Sequence, residues 1–380
     1  MNDHQSRKCG GLVIQTAHDA LAMIRTPLQL LNALEARRHF GLQRTALMIV
    51  EYSGHGIPPF DLSQVDPADW TRVEIVDLNP VPRPQPHTWL DHPRFAHSEK
   101  VNVLRQHYRR RVFDQALRPW RGVPNLLLGN YLQGWFRHAA QRCPHARCIL
   151  LDDGTDTLRI AGERARRDSQ PPRVSLWRRP KAWWYQRYAN WDMRQRREIT
   201  FFSSFDLELP PGDQLVPNRY DHARRQIEAL PQDRRCLFLG QPLVEDGYLT
   251  PGEFSRLIAG VKSSLDGLDL FYVPHRREHI AELTPLLQQH GIARLDLDKA
   301  FEFHLLAAAS IPAVVASFFS SALDNCRLIC GDRVRVIAFR LPAASLLVAH
   351  DYVNSVYDYF ARAGAGVIEI VEPGRRPAAR

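Results

Sequence analysis

Residues Cys148 to Gly154 have the sequence Cys-Ile-Leu-Leu-Asp-Asp-Gly, a short apolar run that ends in two carboxylates and a glycine. Consecutive apolar residues between polar ones are typical of a strand that is buried on both faces of a parallel sheet. The glycine permits the tight turn that exposes the carboxylates. In open α/β sheets, ligands bind at the carboxyl ends of the strands. Asp152 and Asp153 are therefore candidate functional residues.

Similar apolar runs recur through the chain, and amphipathic helical patterns separate several of them. The predicted strands are Leu12–Gln15, Ala46–Val50, Val73–Leu78, Asn125–Leu128, Cys148–Leu151, Ile199–Phe202, Cys236–Leu239, Leu270–Val273, Ala313–Ala316, Val334–Phe339 and Val367–Val371. The clearest helical patterns are Thr26–Arg38, Val101–Leu117 and Pro251–Leu265. This alternation predicts an α/β fold with parallel sheets.

The strand–helix alternation appears in both halves of the chain, which predicts two Rossmann-like domains. We expect the first domain in residues 1–207 and the second in residues 232–380. Residues 208–231 are the expected linker, because proline and glycine punctuate this segment and no strand is predicted to cross it.

The composition is that of an ordinary globular protein with a basic balance. Hydrophobic residues make up 44% of the chain, which excludes global disorder, and no apolar run approaches the roughly 18–20 residues of a spanning helix. Lys and Arg number 50 against 41 Asp and Glu, a net charge of +9 that favours anionic partners. The six cysteines match no strong zinc pattern, and no signal peptide is evident, so we expect reduced thiols in the cytoplasm.

Residues 163–198 combine many arginines with tryptophan and tyrosine. The mixture suits contact with an anionic membrane surface or a lipid-linked acceptor, where indole rings lie at headgroup level. Stacking on nucleic acid is a second interpretation, and a helix whose aromatic residues pack on the sheet is the third. No recognisable nucleic-acid motif is present, so a nucleic-acid partner is not expected.

A second motif follows another predicted strand, in Phe271-Tyr272-Val273-Pro274-His275-Arg276-Arg277-Glu278. A protonated His275 beside Arg276 and Arg277 would bind an anion and neutralise a departing phosphate. The alternative is a structural histidine whose neighbouring arginine pairs with Glu278.

A third motif lies in Ala313–Leu323, where a strand leads into a serine-rich turn and then a helix. Ser317, Ser320 and Ser321, together with the free amides of the helix N-terminus, suit a phosphate site. Simple capping of the helix by Ser317 or Ser320 is the alternative. No dinucleotide fingerprint, P-loop or nucleophile-elbow motif occurs in the chain.

The order of these motifs resembles that of the bacterial GT-B sialyltransferases, especially glycosyltransferase family 52 and the capsular polysialyltransferases. The matching residues are Asp152-Asp153-Gly154, then His275, then Ser320-Ser321. Further similarity lies in Thr26–Ala33, Leu128–Tyr131 and Leu239–Leu243. Arg276 departs from the pattern, because the family usually has proline after this histidine. The resemblance implies the GT-B fold, in which two Rossmann-like domains face each other across a cleft.

The resemblance also implies an inverting transfer from a CMP-sugar. This reaction would need no metal or other cofactor, and each site residue would have a role in it. Asp152 would act as the general base with support from Asp153, and His275 would act on the leaving CMP phosphate. The nucleotide would be bound by Gly240, Gln241, His275, Arg276, Glu302, Ser317, Ser320 and Ser321. The acceptor would be bound by Gln29, Asn130 and Arg159.

The resulting hypothesis is a cytoplasmic enzyme, peripheral to the membrane, that moves a sialic acid or related nonulosonic acid to a lipopolysaccharide or capsule acceptor. A CMP-Kdo transferase shares the donor chemistry and remains an alternative. The alternatives that are not enzymes are a basic nucleic-acid-binding protein and a non-catalytic scaffold.

On the motif alone, Asp152 and Asp153 would also suit a strand-end turn in which one aspartate caps the next helix.

Overall fold

The computed structural model describes residues 18–52, 59–79, 99–167, 191–363 and 368–377. The first sheet has seven strands, namely Ala20–Ile24 (β1), Thr45–Glu51 (β2), Arg72–Asp77 (β3), Asn125–Leu128 (β4), Arg147–Leu151 (β5), Thr200–Ser203 (β6) and Gln214–Pro217 (β7). The second has six, namely Arg235–Leu239 (β8), Asp269–Val273 (β9), Ala293–Arg294 (β10), Val314–Ser317 (β11), Arg335–Phe339 (β12) and Ile368–Val371 (β13).

Both sheets are parallel throughout and have the Rossmann strand order. The first runs β3-β2-β1-β4-β5-β6-β7, and the second runs β10-β9-β8-β11-β12-β13. Six strands of each sheet therefore follow the order 3-2-1-4-5-6 of doubly wound dinucleotide-binding folds. The predicted α/β class with two Rossmann-like domains is confirmed.

Helices connect the strands in the manner expected of parallel sheets. Those in the described ranges are Pro27–His39 (α1), Glu99–Leu117 (α2), Gly134–Arg142 (α3), Thr155–Arg167 (α4), Asp221–Ile227 (α5), Pro251–Ser264 (α6), Ile280–Gln289 (α7), Phe301–Ala307 (α8), Ala322–Cys330 (α9) and His350–Ala363 (α10). α1 begins where the Thr26 side chain accepts the Gln29 N–H and Pro27 takes the first position. The three helices predicted from sequence are all present.

The strands are apolar on both sides because each face of each sheet is covered. In β5, Leu150 belongs to one buried cluster, whereas Ile149 and Leu151 belong to the cluster on the opposite face. This double burial explains the uninterrupted apolar run before Asp152. It also leaves the strand end as the first position at which a polar side chain can lie.

Three strands were missed, namely β1, β7 and the two-residue β10, and the expectation that no strand crosses the linker is wrong. The segment 208–231 contains β7, which pairs in parallel with β6, so the first sheet continues to Pro217. Four residues at the sheet edge give too short a pattern to separate from a loop. β1 was missed because Ala20–Ile24 is rich in helix formers, and the predicted strand Leu12–Gln15 lies outside the described residues.

The chain leaves the first sheet through a buried crossover. Tyr220 is fully buried with φ +53°, a left-handed conformation that is strained for a tyrosine. Helix α5 follows at once, and its first free amides donate to Glu35 of α1, with distances of 3.1 Å for His222 N–H and 2.7 Å for Ala223 N–H. A carboxylate from the first domain therefore caps the helix that leads into the second.

Only part of the basic and aromatic segment 163–198 lies in the described ranges, since residues 168–190 fall outside them. Trp191 packs into the first domain with its ring 5.4 Å from Phe113 and 6.2 Å from Trp135. Arg196 donates to the carbonyl oxygens of Pro144 and Ala146 at 2.7 and 2.6 Å. These two residues stabilise the first domain, whereas membrane contact by the rest of the segment remains a prediction.

The five cysteines within the described ranges are buried free thiols, and Cys9 lies outside those ranges. Among the helices that the structure describes, none combines the length and apolarity needed to span a bilayer.

Candidate active site

The turn after β5 holds Asp152 in a buried, hydrogen-bonded position. Its Oδ2 accepts the Ser204 N–H at 2.6 Å and the Ser204 hydroxyl at 3.0 Å, and its main-chain oxygen accepts Asn32 Nδ2 at 2.9 Å. Oδ1 is buried and has no hydrogen-bond partner among the described residues. Burial raises the Asp152 pKa to about 6, and hydrogen bonds from Ser203, Ser204 and Thr157 limit the rise. Asp152 thus has one buried carboxylate oxygen without a hydrogen-bond partner among the described residues.

Asp153 is fixed by amide side chains from the first turn of α1 and from the loop after β4. Its Oδ2 accepts Asn130 Nδ2 at 2.6 Å, and the Gln29 amide also faces it. Burial raises the Asp153 pKa to about 6, and the like charges of Asp156 and Asp152 add to the rise. Gln29 and Asn130 were predicted to bind the acceptor; in the structure both are buried and they orient this carboxylate.

Arg159, the third predicted acceptor ligand, lies outside the site. Its side chain is 66% exposed and pairs with Glu163 one turn along α4 at 3.2 Å. The preceding residue, Leu158, is the one that lines the cavity described below.

Sequence analysis missed Arg25, which follows β1 at the same edge. Arg25 is 5% exposed, and its guanidinium lies over Trp135 at 5.7 Å from the ring centroid. Burial lowers its pKa, attraction to Asp153 opposes that change, and Arg276 of the second domain lowers the pKa further. Arg25 therefore lies within electrostatic range of the acid pair and of the cations across the interface. The strand before it had not been recognised, so no sequence signal pointed to this residue.

His275 lies in a tight turn after β9, where its surroundings favour the neutral imidazole. Its Nδ1 accepts the Arg277 N–H at 3.2 Å, which leaves the proton on Nε2. Burial lowers the His275 pKa, and the charges of Arg276 and Arg277 lower it further. These effects oppose the protonated histidine that was expected, although an anionic ligand would raise this pKa again.

The two arginines of this turn differ in their partners. Arg277 forms an ion pair with Asp246, whereas the exposed Arg276 has no acidic partner among the described residues. Both guanidinium groups line the same cavity as His275. Arg276 is thus the cation available to a bound anion.

Ser317, a predicted nucleotide ligand, is fully buried and is not among the residues that line the cavity. Its hydroxyl donates to the Leu239 carbonyl at 2.7 Å and lies 3.3 Å from Gln241 Oε1. Gln241 Oε1 also accepts the Phe319 N–H at 3.0 Å. Ser317 therefore helps to orient Gln241, which does line the cavity.

Ser320 and Ser321 precede α9 and line the cavity, and their contact with a phosphate remains a prediction. The Ser320 hydroxyl accepts the Ala322 N–H at 3.3 Å, a capping contact. Asp324, in the first turn of α9, is neutralised by Arg327 at 2.9 Å. Its charge therefore does little to oppose an anion bound at the serine turn.

Gly240 and Glu302, the remaining predicted nucleotide ligands, do not line this cavity. Glu302 is partly buried and accepts Asn325 Nδ2 at 2.9 Å. Gly240 lies directly against the side chains of Tyr272 and Glu278, which leaves no space for a Cβ.

One cavity of about 520 Å³, a volume typical of small-molecule sites, joins His275, both arginines of its turn and the two serines, whereas Asp152 and Asp153 are not among its lining residues. It is lined by Leu158, Phe205, Gln241, Pro242, Leu243, Asp246, Tyr248, His275, Arg276, Arg277, Phe319, Ser320, Ser321, Asp324, Tyr352, Ser355, Val356, Tyr359 and Phe360. Leu158 and Phe205 belong to the first domain, so the cavity lies between the domains and the predicted GT-B architecture is confirmed. A Cβ built on Gly154 would lie 3.7 Å from Ser321 Oγ, so the acid turn borders the serine turn.

The aromatic half of the cavity was also missed. Tyr359 donates to Asp324 at 2.9 Å and packs 5.7 Å from Phe205 across the interface. Tyr248, Phe319 and Tyr352 form a second group of rings. Aromatic residues in sequence are more often core than site, so their pattern alone could not identify them. Within the described residues no cluster of three or more His, Cys, Asp or Glu could hold a metal.

Comparison with known proteins yields structural likeness only. No protein-family profile matches the chain, and no curated protein matches it. A UDP-glucosyltransferase from Polygonum tinctorium capable of glucosylating indoxyl is 15% identical over 93% of this chain and 85% of its own, with a TM-score of 0.47. The spinosyn forosaminyltransferase SpnP is 12% identical over 94% and 86%, with a TM-score of 0.47. The E. coli heptosyltransferase WaaC with ADP-2-deoxy-2-fluoro heptose is 12% identical over 93% of each chain, with a TM-score of 0.42.

Proposed function

We propose that this protein is an inverting glycosyltransferase that moves a sialic acid or related nonulosonic acid from a CMP-sugar to a cell-surface glycan acceptor. The observation that supports this most is the shared interface of two chemically different turns. The Asp152-Asp153-Gly154 turn of the first domain borders Ser321 of the second, whose cavity also holds His275 and Arg276. The motif order that resembles the bacterial GT-B sialyltransferases adds support.

The first domain supplies the base in this mechanism. Asp152 has a pKa of about 6, so it is ionised at neutral pH yet basic enough to take a proton from an acceptor hydroxyl. The acceptor oxygen then attacks the anomeric carbon of the donor from the face opposite to the phosphate. The new C–O bond forms as the bond to the CMP phosphate breaks, which inverts the configuration. Asp153, held by Asn130, supports the base through its position beside it.

The second domain receives the leaving phosphate. CMP departs with one more negative charge than it carries in the donor. The Nε2–H of His275, the guanidinium of Arg276 and the hydroxyls of Ser320 and Ser321 can donate to that phosphate. These groups neutralise the charge without an obligatory metal. The anion also raises the pKa of His275, which favours transfer of a proton to the departing CMP.

The acceptor in this proposal is a lipopolysaccharide or capsule glycan at the cytoplasmic face of the membrane. The net charge of +9 suits an anionic donor and an anionic acceptor surface. The segment 163–198 is the proposed membrane contact, and charge reversal at Arg178, Arg179 and Lys181 would weaken the binding of anionic vesicles. If those changes instead abolished oligonucleotide binding with a steep salt dependence, the nucleic-acid alternative would gain support.

Release of CMP from a set of donors tests the proposal. Purified protein is incubated with CMP-sialic acid, CMP-Kdo, a UDP-sugar and an ADP-heptose, and nucleotide release is followed with and without glycan acceptors. We expect turnover of a CMP-nonulosonic acid. Exclusive turnover of CMP-Kdo would favour the Kdo transferase, and turnover of UDP- or ADP-sugars alone would refute the CMP donor class.

A further inference from the structure

The turn that carries His275 is closed by the side chain and the main chain of one residue. The Glu278 N–H donates to the His275 carbonyl at 2.9 Å, the bond of a four-residue turn. In addition, Oε2 of the Glu278 carboxylate accepts the His275 N–H at 2.6 Å. Its Oε1 accepts the Tyr272 hydroxyl at 2.6 Å. Both oxygens of a carboxylate that is only 8% exposed are thus bound.

Gly240, at the end of the neighbouring strand β8, makes room for this arrangement. A Cβ on Gly240 would overlap Glu278 Oε2 and lie 2.7 Å from the Tyr272 hydroxyl oxygen. The Gly240 N–H donates to the Val273 carbonyl at 2.8 Å, which holds the two strand ends together. Gly240 was predicted to bind the nucleotide. In the structure, the packing of Glu278 and Tyr272 behind the His275–Glu278 turn requires a glycine at this position.

Neither arginine of the turn pairs with Glu278, so the predicted alternative of an Arg–Glu278 pair is wrong. The groups that face the carboxylate are the Tyr272 hydroxyl, the His275 amide and, as a like charge, Glu245. Burial is the main cause that raises the Glu278 pKa to about 7. A buried carboxylate without a cationic partner is costly, and such groups are retained mainly where they have a task.

Further contacts restrain the turn, since the Arg277 N–H donates to His275 Nδ1 at 3.2 Å and the Arg277 side chain pairs with Asp246. None of its four residues, from His275 to Glu278, is proline or glycine, so backbone preference does not select this conformation. The two central residues, Arg276 and Arg277, both direct their side chains into the cavity beside His275. The direction of these cationic and hydrogen-bonding groups consequently depends on what holds the ends of the turn.

We propose that Glu278 is the positioning residue of the donor site, which fixes the His275–Glu278 turn so that His275 and Arg276 face the leaving phosphate. Glu278 acts through its hydrogen bonds to the His275 amide and the Tyr272 hydroxyl and does not itself touch the substrate. The inference rests on the proposed function for the identity of the ligand, but the geometry of the turn does not depend on it.

Three variants distinguish positioning through the hydrogen bonds of Glu278 from an effect of its negative charge. Glu278→Ala removes both carboxylate hydrogen bonds and is expected to weaken CMP binding and lower turnover by about tenfold to a hundredfold, the range for losing bonds to a charged group. Glu278→Gln can still accept the His275 N–H and donate to Tyr272, so it should retain most activity. Glu282→Ala removes an exposed acid from the same segment and serves as the control. If Glu278→Ala matches the wild type, or if Glu278→Gln is equally impaired, positioning by hydrogen bonds is refuted.

A magnetic-resonance titration tests the inference without substrate. The His275 amide, assigned by comparison with His275→Gln, should resonate far downfield when Glu278 is ionised. Its proton should move upfield as the pH falls through about 7, and this movement should be absent in Glu278→Gln. An amide shift that is the same in both proteins at every pH would overturn the inference. A protein that shows the titration but turns over no CMP-sugar would refute only the proposed function.

Discussion

Gly154 and Ser321 belong to different domains, yet a Cβ on Gly154 would come within 3.7 Å of the Ser321 hydroxyl oxygen. The glycine ends the acid turn, and the serine belongs to the turn that precedes α9. This approach brings the candidate base and the candidate phosphate site to one interface. The glycine also has φ +61°, a conformation that other residues rarely adopt, although a Cβ at 3.7 Å would make only ordinary van der Waals contact.

Gly154→Ala should therefore affect stability and activity together. Adopting a left-handed conformation costs an alanine about 1–2 kcal/mol. This strain falls on the turn that carries Asp152 and borders Ser321, so it should also shift the acid turn at the interface and lower kcat/KM by about tenfold or more. Gly41→Ala is the matched control, because Gly41 has φ +66° but no atom within 4 Å of a Cβ. Chemical denaturation and CMP release should show equal destabilisation of both variants, with loss of activity in Gly154→Ala alone. Equal activity in the two would contradict the shared interface.

Asp152→Asn tests the base. The amide is nearly isosteric and can still accept the Ser204 bonds through its oxygen, so the fold should be unchanged. It cannot take a proton, and kcat should fall by about a hundredfold or more. Steady-state CMP release measures the effect. Asp221→Asn, an exposed change at the start of α5, should remain fully active. Undiminished turnover in Asp152→Asn would support a non-catalytic scaffold.

The same substitution should stabilise the protein at neutral pH. The folded-state pKa of Asp152 is raised from 3.8 to about 6, so the folded protein binds more protons than the unfolded chain between these values. The free energy of unfolding of the wild type consequently falls as the pH rises through this window. The fall reaches up to about 3 kcal/mol, because each unit between the two pKa values corresponds to roughly 1.4 kcal/mol. Urea unfolding should show Asp152→Asn and wild type equal near pH 4 and the variant more stable at pH 7.5. A variant that is less stable at pH 7.5 would contradict the raised pKa.

Turnover should depend on the ionisation of the acid turn. The kcat/KM of the wild type should fall about tenfold per pH unit below pH 6, because Asp152 must be unprotonated to act as the base. The profile is measured with buffers of constant ionic strength. An acid limb centred near pH 4, the ordinary value for an aspartate, would show that this carboxyl is not the group that titrates.

Arg276 and Arg277 should differ in their effect on nucleotide binding. Arg276 has no acidic partner among the described residues, whereas Arg277 pairs with Asp246. Arg276→Ala should therefore weaken CMP binding by about tenfold or more, and Arg277→Ala by less. Titration calorimetry at fixed salt measures both, and the two variants carry the same change of charge. A larger loss in Arg277→Ala would place the anion elsewhere in the cavity.

The architecture was predictable because its strands are buried on both faces, which leaves continuous apolar runs such as residues 148–151. The predicted strand ends then located Asp152, His275 and Ser320 near one cleft. β7 was not predictable because four edge residues form no pattern, and β1 because its composition favours a helix. Because β1 was not predicted, Arg25 at its end was not recognised as a candidate site residue.

The sequence did not show in which direction each candidate side chain points. Ser317 and Ser320 are three residues apart on one short segment, yet one is buried against Leu239 and the other lines the cavity. Arg159 and Leu158 are adjacent, and only Leu158 faces the site. Such differences depend on which way each side chain leaves its element, and a single sequence does not fix that direction without the packing around it.

A structure with CMP bound tests the central claim most directly. The account predicts that the phosphate lies within hydrogen-bond distance of His275 Nε2, Arg276 and the hydroxyls of Ser320 or Ser321. It further predicts that the open side of the ligand, where the sugar would be attached, faces the carboxylates after β5. CMP bound away from these side chains, or with its phosphate turned from the first domain, would contradict it.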